Sequence, residues 1–286
     1  MDPCGAQLWA QPQRGHSLSD QLIVAGFHRS GTSLICQLLH RAGLFLGYDL
    51  LGPAFSNLHG HFEDTEILTL HQQILADNGQ TWLVSEPFLP VVTEPRWESL
   101  RGIIERRNAE HDLWGFKDPR VCPFVMLWKH LLPNAKVLLI YRHFADSTYS
   151  LGRRQSTELF SNPAGPQRMY RRFWEEPDLA LRMWLTNNEA LLAFARAYPE
   201  DTLAVSLDMV QSGFPLVEAI NHRWGFSLEE VPASAVFDLT VTDRRPGKQP
   251  ISDERLIEQI DGTWQALERL SAQTRQMIEQ ATGKKG

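Results

Sequence analysis

Eight consecutive residues, Gly26, Phe27, His28, Arg29, Ser30, Gly31, Thr32 and Ser33, bring together two glycines, three hydroxyls and a guanidinium. A short apolar run at 22–25 precedes them. Leu34, Ile35, Leu38, Leu39 and Ala42 follow at helical spacing, closed by Gly43. The segment 26–32 is therefore expected to turn from a buried strand into a helix. Such a turn aims backbone N–H groups and the positive end of the helix at one point, which makes an anion site. Nucleotide-hydrolysing loops follow the pattern G-x-x-x-x-G-K-[ST]. Here both glycines keep that spacing and Ser33 keeps the hydroxyl position, but Thr32 stands where the lysine belongs. The cation comes earlier, at Arg29. A phosphate loop of altered chemistry is expected, with His28, Arg29, Ser30, Gly31, Thr32 and Ser33 around the anion.

A second cation ends a second strand. Residues 136–141 form a largely apolar run into Arg142, and a helix over 145–154 is expected to follow. Ser150 falls in that helix, eight residues after Arg142. A guanidinium with a hydroxyl suits a second phosphate, separate from the loop. Charge usage points the same way: 22 of the 28 cationic side chains are arginine, the cation that grips phosphate in a fork. Six of them lie between positions 142 and 172, against Asp146 and Glu158 alone. His59, His61 and Glu63 alternate, so an extended chain would set all three on one face. That is a candidate metal cluster, but no second ligand group accompanies it and no metal is expected.

These residues need elements to hold them. Asp64 is placed to cap a helix with Ile67, Leu68, His71, Ile74 and Leu75 on one face and Gly79 after it. Thr93 and Pro95 open another, carrying Trp97, Leu100 and Ile104. Strands are expected at 113–117 and 203–207. Helices are expected at 121–132, stopped by Pro133, at 178–198, ended by Pro199, and from Ser252 or Asp253 through 278. The polar, Arg-rich stretch 165–176 reads as a loop. Strands alternating with helices imply an α/β fold: a P-loop-type parallel β-sheet flanked by helices, with helical C-terminal additions after residue 155. Residues 1–20 are expected to be a flexible N-terminal segment and 21–286 a single domain. Ligands of such sheets bind at the carboxyl ends of the strands, where both arginine motifs fall.

With 286 residues, 43% of them hydrophobic, the chain can bury a substantial core without staples. The net charge of −6 excludes a broadly basic nucleic-acid binder. No stretch approaches the roughly 18 apolar residues of a membrane span, and residues 1–20 lack the apolar core of a secretory signal. Cys4, Cys36 and Cys122 are odd in number and far apart, which favours a reduced, cytoplasmic setting with Cys36 and Cys122 as buried small hydrophobes.

At these residues the chain resembles a known family. The R-S-G-T loop with the R-x7-S segment is similar to the sulfotransferases that use 3′-phosphoadenosine-5′-phosphosulfate. Arg29, where cytosolic members carry a lysine, looks more like the carbohydrate, tyrosyl-protein and bacterial members. The stretches N-L-H-G-H-F-E at 57–63, W-G-F-K-D-P-R at 114–120 and L-G-R-R at 151–154 resemble the bacterial ones. The resemblance covers about residues 22–154.

It implies that the loop binds the 5′-phosphosulfate, that Arg142 and Ser150 bind the 3′-phosphate, and that no metal takes part. Arg29 would meet the leaving phosphate oxygen, with Thr32 and Ser33 donating hydroxyls to the same anion. Glu63 would be the general base, with His61 and His59 as competitors. Lys117 and Arg120 would hold substrate or the sulfuryl oxygens, unless Asp118 and Arg120 merely pair to shape a turn. Trp82 and Trp114 line an acceptor cleft or belong to the core. Residues 243–248 close over the nucleotide or form an ordinary loop. The implied acceptor is a small molecule or saccharide, first a carbohydrate hydroxyl and next a natural-product hydroxyl; no motif speaks for or against a homodimer. The rival readings are a P-loop nucleotide kinase or NTPase, disfavoured by Thr32, and a non-catalytic nucleotide-binding relative.

Overall fold

The computed structural model describes residues 19–52, 60–236 and 253–283. Residues 1–18, His59 and the stretch 243–248 lie outside them. The chain runs β1 (Asp20–Ala25), α1 (Thr32–Arg41), α2 (Thr65–Asp77), α3 (Glu94–Glu110), β2 (Leu113–Lys117), a 3-10 turn (Pro119–Phe124) and α4 (Val125–Leu131). It continues β3 (Lys136–Tyr141), α5 (Phe144–Ser161), α6 (Gln167–Glu175), α7 (Leu179–Ala197), β4 (Thr202–Ser206), α8 (Leu207–Gln211), α9 (Leu216–Trp224) and α10 (Glu254–Thr282).

The four strands form one parallel sheet in the order β2-β1-β3-β4. Parallel pairing needs crossovers, and these place helices on both faces. Strand alternation divides the core in two. Ile23 and Ala25 join Phe116, Val137, Leu139 and Tyr141 on one face, under α2, α3, α4, α7 and α10. Leu22 and Val24 join Leu138, Ile140, Leu203 and Val205 on the other, under α1, α8 and α9. Cys36 and Cys122 are buried and free, and burial pushes both thiols up to about 12. Among the described residues no helix is long and apolar enough to cross a membrane.

The α/β expectation holds, and four details change. Within the stretch 165–176, Gln167–Glu175 form a helix, α6, because Met169, Tyr170 and Phe173 share a face that packs inward, with Tyr170 buried and Phe173 stacked on Trp82. The expected helix at 121–132 begins as a 3-10 turn, since Pro123 cannot donate within an α-helix, and becomes α-helical at Val125. On α2 the buried positions include Leu70, while Leu68 is only half-buried. Helices α8 and α9 were not anticipated; α8 follows β4 directly, with Ser206 accepting from the Met209 N–H at its N-cap.

Candidate active site at the carboxyl ends of β1 and β3

The loop after β1 is shaped by its glycines. A Cβ on Gly26 would stand 2.3 Å from the Ile140 carbonyl oxygen, so only glycine lets the chain pass β3 there. Gly31 takes φ +86°, and a Cβ there would meet Leu207 at 2.5 Å. Arg29 also adopts a left-handed backbone, at φ 64°, which a side chain of this size rarely does. Gly31 starts α1 with no side-chain cap, and no acid occupies the first turn, so the helix's positive end faces the loop uncompensated. Ser30 is fully buried and its Oγ has no hydrogen-bond partner. Ser33 Oγ donates to the His61 carbonyl at 3.2 Å. That bond ties the start of α1 to the segment that carries His61 and Glu63.

The second motif closes on the first. His143 caps α5, its Nδ1 accepting from the Ala145 N–H at 3.2 Å. Arg142 is buried just before it, with Nε 3.7 Å from Asp146 Oδ2. Ser150 is buried on the second turn of α5, and Arg29 Nε donates to its Oγ at 3.0 Å across 121 residues of sequence. Ser150 is thus bonded to the loop arginine, which couples the two motifs directly. Arg153 and Arg154 follow on the same helix. Burial, then the charges of Arg154, Arg142 and Arg153, bring the Arg29 guanidinium down to about 10. Cations crowded this closely, beside Ser30 Oγ, Ser147 Oγ and Arg154 Nε that are buried without partners, fit an anionic ligand with more than one charged group.

Next to this cluster is a cavity of ≈ 550 Å³, with His28, Glu63, Trp82, Arg120, Arg154 and Tyr170 among its lining. Glu63 is held by backbone pairing: its carbonyl accepts from the Leu51 N–H at 2.7 Å, and the His61 N–H reaches Leu51 O at 3.0 Å. Lys117, the last residue of β2, donates from Nζ to Glu63 Oε1 at 2.9 Å. Arg120 Nη1 stands 3.8 Å from Oε2, and His61 Nδ1 4.0 Å from Oε1. Asp118 and Arg120 do pair, Nη1 to Oδ1 at 2.7 Å, so the turn-shaping contact exists alongside the approach to Glu63. His28 meets the edge of Trp82 at 5.0 Å between centroids. Burial above all, then Arg120, pushes the His28 imidazole down to about 3, and burial likewise lowers His61.

The structure therefore brings His28, Arg29, Ser30, Gly31, Thr32, Ser33, Glu63, His61, Lys117, Arg142 and Ser150 to one edge of the sheet. Trp82 lines the cavity; Trp114 does not, being fully buried beneath the Arg107 guanidinium with Nε1 bonded to Asn108. Among the described residues no three acidic, histidine or cysteine side chains are grouped as a metal site. Not foreseen were Arg154, Tyr170 and a buried His71 beneath Arg120. Arg154 had a signal in the L-G-R-R segment one turn beyond Ser150; His71 had one in being a histidine at an apolar helix position.

No family model matches the chain, and no curated protein matches it. Solved structures do match, and several of them are sulfotransferases. The sulfotransferase domain of the olefin synthase from Synechococcus PCC 7002 is 17% identical, with 92% of this chain and 98% of that one covered and a TM-score of 0.43. A sulfotransferase from Mycobacterium tuberculosis is 16% identical, with 86% and 77% covered and a TM-score of 0.47. A mouse sulfotransferase complexed with PAP is 12% identical, with 94% and 90% covered and a TM-score of 0.41.

Proposed function

We propose that the protein is a sulfotransferase that uses 3′-phosphoadenosine-5′-phosphosulfate and delivers the sulfuryl group to an acceptor hydroxyl. The observation that carries this reading is the 3.0 Å bond from Arg29 to Ser150. A nucleotide with phosphates at both 3′ and 5′ positions hangs them from one ribose, so its two anion sites must adjoin. Here the loop of α1 and the Arg142–Ser150 segment adjoin through that bond, with arginines on both sides.

The donor supplies an activated sulfuryl group, whose bond to the phosphate oxygen breaks as the bond to the acceptor oxygen forms. Arg29 and the N–H groups opening α1 stand where negative charge grows on the leaving phosphate. Arg142, with Ser150 and Arg154, holds the 3′-phosphate. Glu63 takes the acceptor proton on Oε2, since Oε1 is occupied by Lys117 and both imidazoles nearby are weakened as bases by burial. Lys117 acts first by fixing Glu63. The cavity mixes apolar walls, such as Leu75, Leu151 and Trp82, with Gln72, Gln80 and Gln155. It suits a small acceptor, a saccharide or natural-product hydroxyl, of the size such cavities enclose.

Thermal shift distinguishes this reading from a kinase or NTPase. Adenosine 3′,5′-bisphosphate at 100 times its Kd should stabilise the fold by about 2.7 kcal/mol, and ATP with Mg²⁺ by much less; the reverse ranking refutes the proposal. A labelled-sulfate screen over 2-naphthol, a long-chain alcohol and N-acetylglucosamine then reports transfer and acceptor class. In the best acceptor, Glu63→Gln should abolish turnover and keep bisphosphate affinity. Unchanged turnover moves the base to His61, and binding without any transfer would indicate a non-catalytic relative.

A further inference from the structure

A line of polar groups runs from the core to Glu63. Trp128 Nε1 donates to His71 Nε2 at 2.8 Å. Indole can only donate, so His71 Nε2 is the acceptor and its proton sits on Nδ1. Nδ1 in turn donates to Asp118 Oδ2 at 2.8 Å. The other oxygen, Oδ1, accepts from the Arg120 backbone N–H at 3.0 Å and from Arg120 Nη1 at 2.7 Å. The same Nη1 faces Glu63 Oε2 at 3.8 Å, while Lys117 holds Oε1.

Packing alone does not call for this. Trp128 and His71 are 0% exposed and Asp118 is 1% exposed. His71 lies flat on Phe124, centroids 4.8 Å apart, among Phe116 and Trp128. An apolar side chain at 71 would fit such surroundings, and a buried imidazole–carboxylate pair is seldom a net gain over one. Each link does, however, leave the next with one orientation. Asp118 meets Arg120 at both the backbone and the guanidinium, so Nη1 is held between Asp118 and Glu63 at the wall of the cavity.

We propose that His71 and Asp118 are positioning residues that set Arg120 against Glu63 and so fix which oxygen of Glu63, Oε2, meets the acceptor hydroxyl. The inference rests on the assignment of Glu63 as base. It adds that the carboxylate is aimed from behind through a chain ending at Trp128.

The test uses the full chain and the best acceptor of the screen. His71→Leu breaks the link to Asp118. His71→Asn keeps a donor at the δ position and so restores it. Expected for His71→Leu is a fall in kcat of tenfold or more, up to about 100-fold for a misplacement near 1 Å, with acceptor KM and bisphosphate Kd within about twofold. His71→Asn should recover most of the loss, which a merely structural role at 71 would not predict, since Leu suits the core better than Asn. Should His71→Leu fail to bind the bisphosphate, Arg120→Gln takes its place, leaving the buried half intact and predicting the same fall in kcat. If Glu63→Gln is inactive while these variants turn over normally, the relay is overturned and the base assignment survives. If Glu63→Gln is fully active, the base assignment falls and the relay with it.

Discussion

Arg29 holds an uncomfortable backbone for its size, and it does so among like charges. A left-handed conformation costs a non-glycine residue about 1–2 kcal/mol, and burial beside Arg142, Arg153 and Arg154 adds to the penalty. Strain of this kind persists where a side chain must reach a ligand. Arg29→Gly removes both penalties, because glycine takes φ 64° freely. The variant should keep or raise its urea midpoint while turnover falls by about 100-fold or more, as for loss of an oxyanion donor. A clearly lowered midpoint would mean that Arg29 stabilises the fold itself. The residues of this loop were legible because their chemistry is local: two glycines, a cation and hydroxyls in eight positions. His71 was not, because its meaning comes from Asp118 and Trp128, which are 47 and 57 residues away. Ser33 was legible as a loop hydroxyl but not as the partner of the His61 carbonyl, for the same reason.

The four strands were readable within one residue at either end, apart from the first two residues of β1, since parallel strands buried on both faces appear as short apolar runs. Helix α6 was misread because its outer face is arginine-rich and only three of its residues turn inward. Those three acquire a surface to cover only when Trp82, some ninety residues earlier, is brought beneath Phe173, with rings 5.9 Å apart and 21° from parallel. Such a stack contributes about 0.5–1.5 kcal/mol beyond its buried area. α6 thereby forms one wall of the cavity, through Met169 and Tyr170. Phe173→Ala should loosen that wall alone. Acceptor KM is expected to rise several-fold while the bisphosphate Kd, read by calorimetry, stays as it was. A parallel weakening of both ligands would show that α6 also shapes the nucleotide site.

Strand order explains why everything meets where it does. In the order β2-β1-β3-β4 the chain leaves β1 toward one side and returns to the other, so the crevice opens between the carboxyl ends of β1 and β3. The loop at 26–32 leaves the first and Arg142 the second. That is also how a molecule of net charge −6 presents a locally positive site: between 142 and 172, on and just before α5 and α6 beside the crevice, six arginines outnumber Asp146 and Glu158. Gathering cations has a consequence for pH. His28 lies half-buried beside Arg120 and Arg154, with its imidazole brought from 6.5 down to about 3 and the His61 imidazole also lowered. In the unfolded chain both take up protons near pH 6.5; in the folded protein His28 does not until about pH 3. A depressed basic group leaves stability intact above the unfolded value and erodes it as pH falls toward the folded one. Loss should begin near pH 6.5, at up to about 1.4 kcal/mol per pH unit for each proton so withheld. Asp118 adds a second phase only below about 3.8: burial would raise its carboxyl, but Arg120 and His71 outweigh burial and hold it low. Urea midpoints measured from pH 7 to 4 should therefore fall well before any carboxylate titrates. His28→Asn should flatten that fall by roughly one proton's worth, and an unchanged slope would assign the acid sensitivity elsewhere.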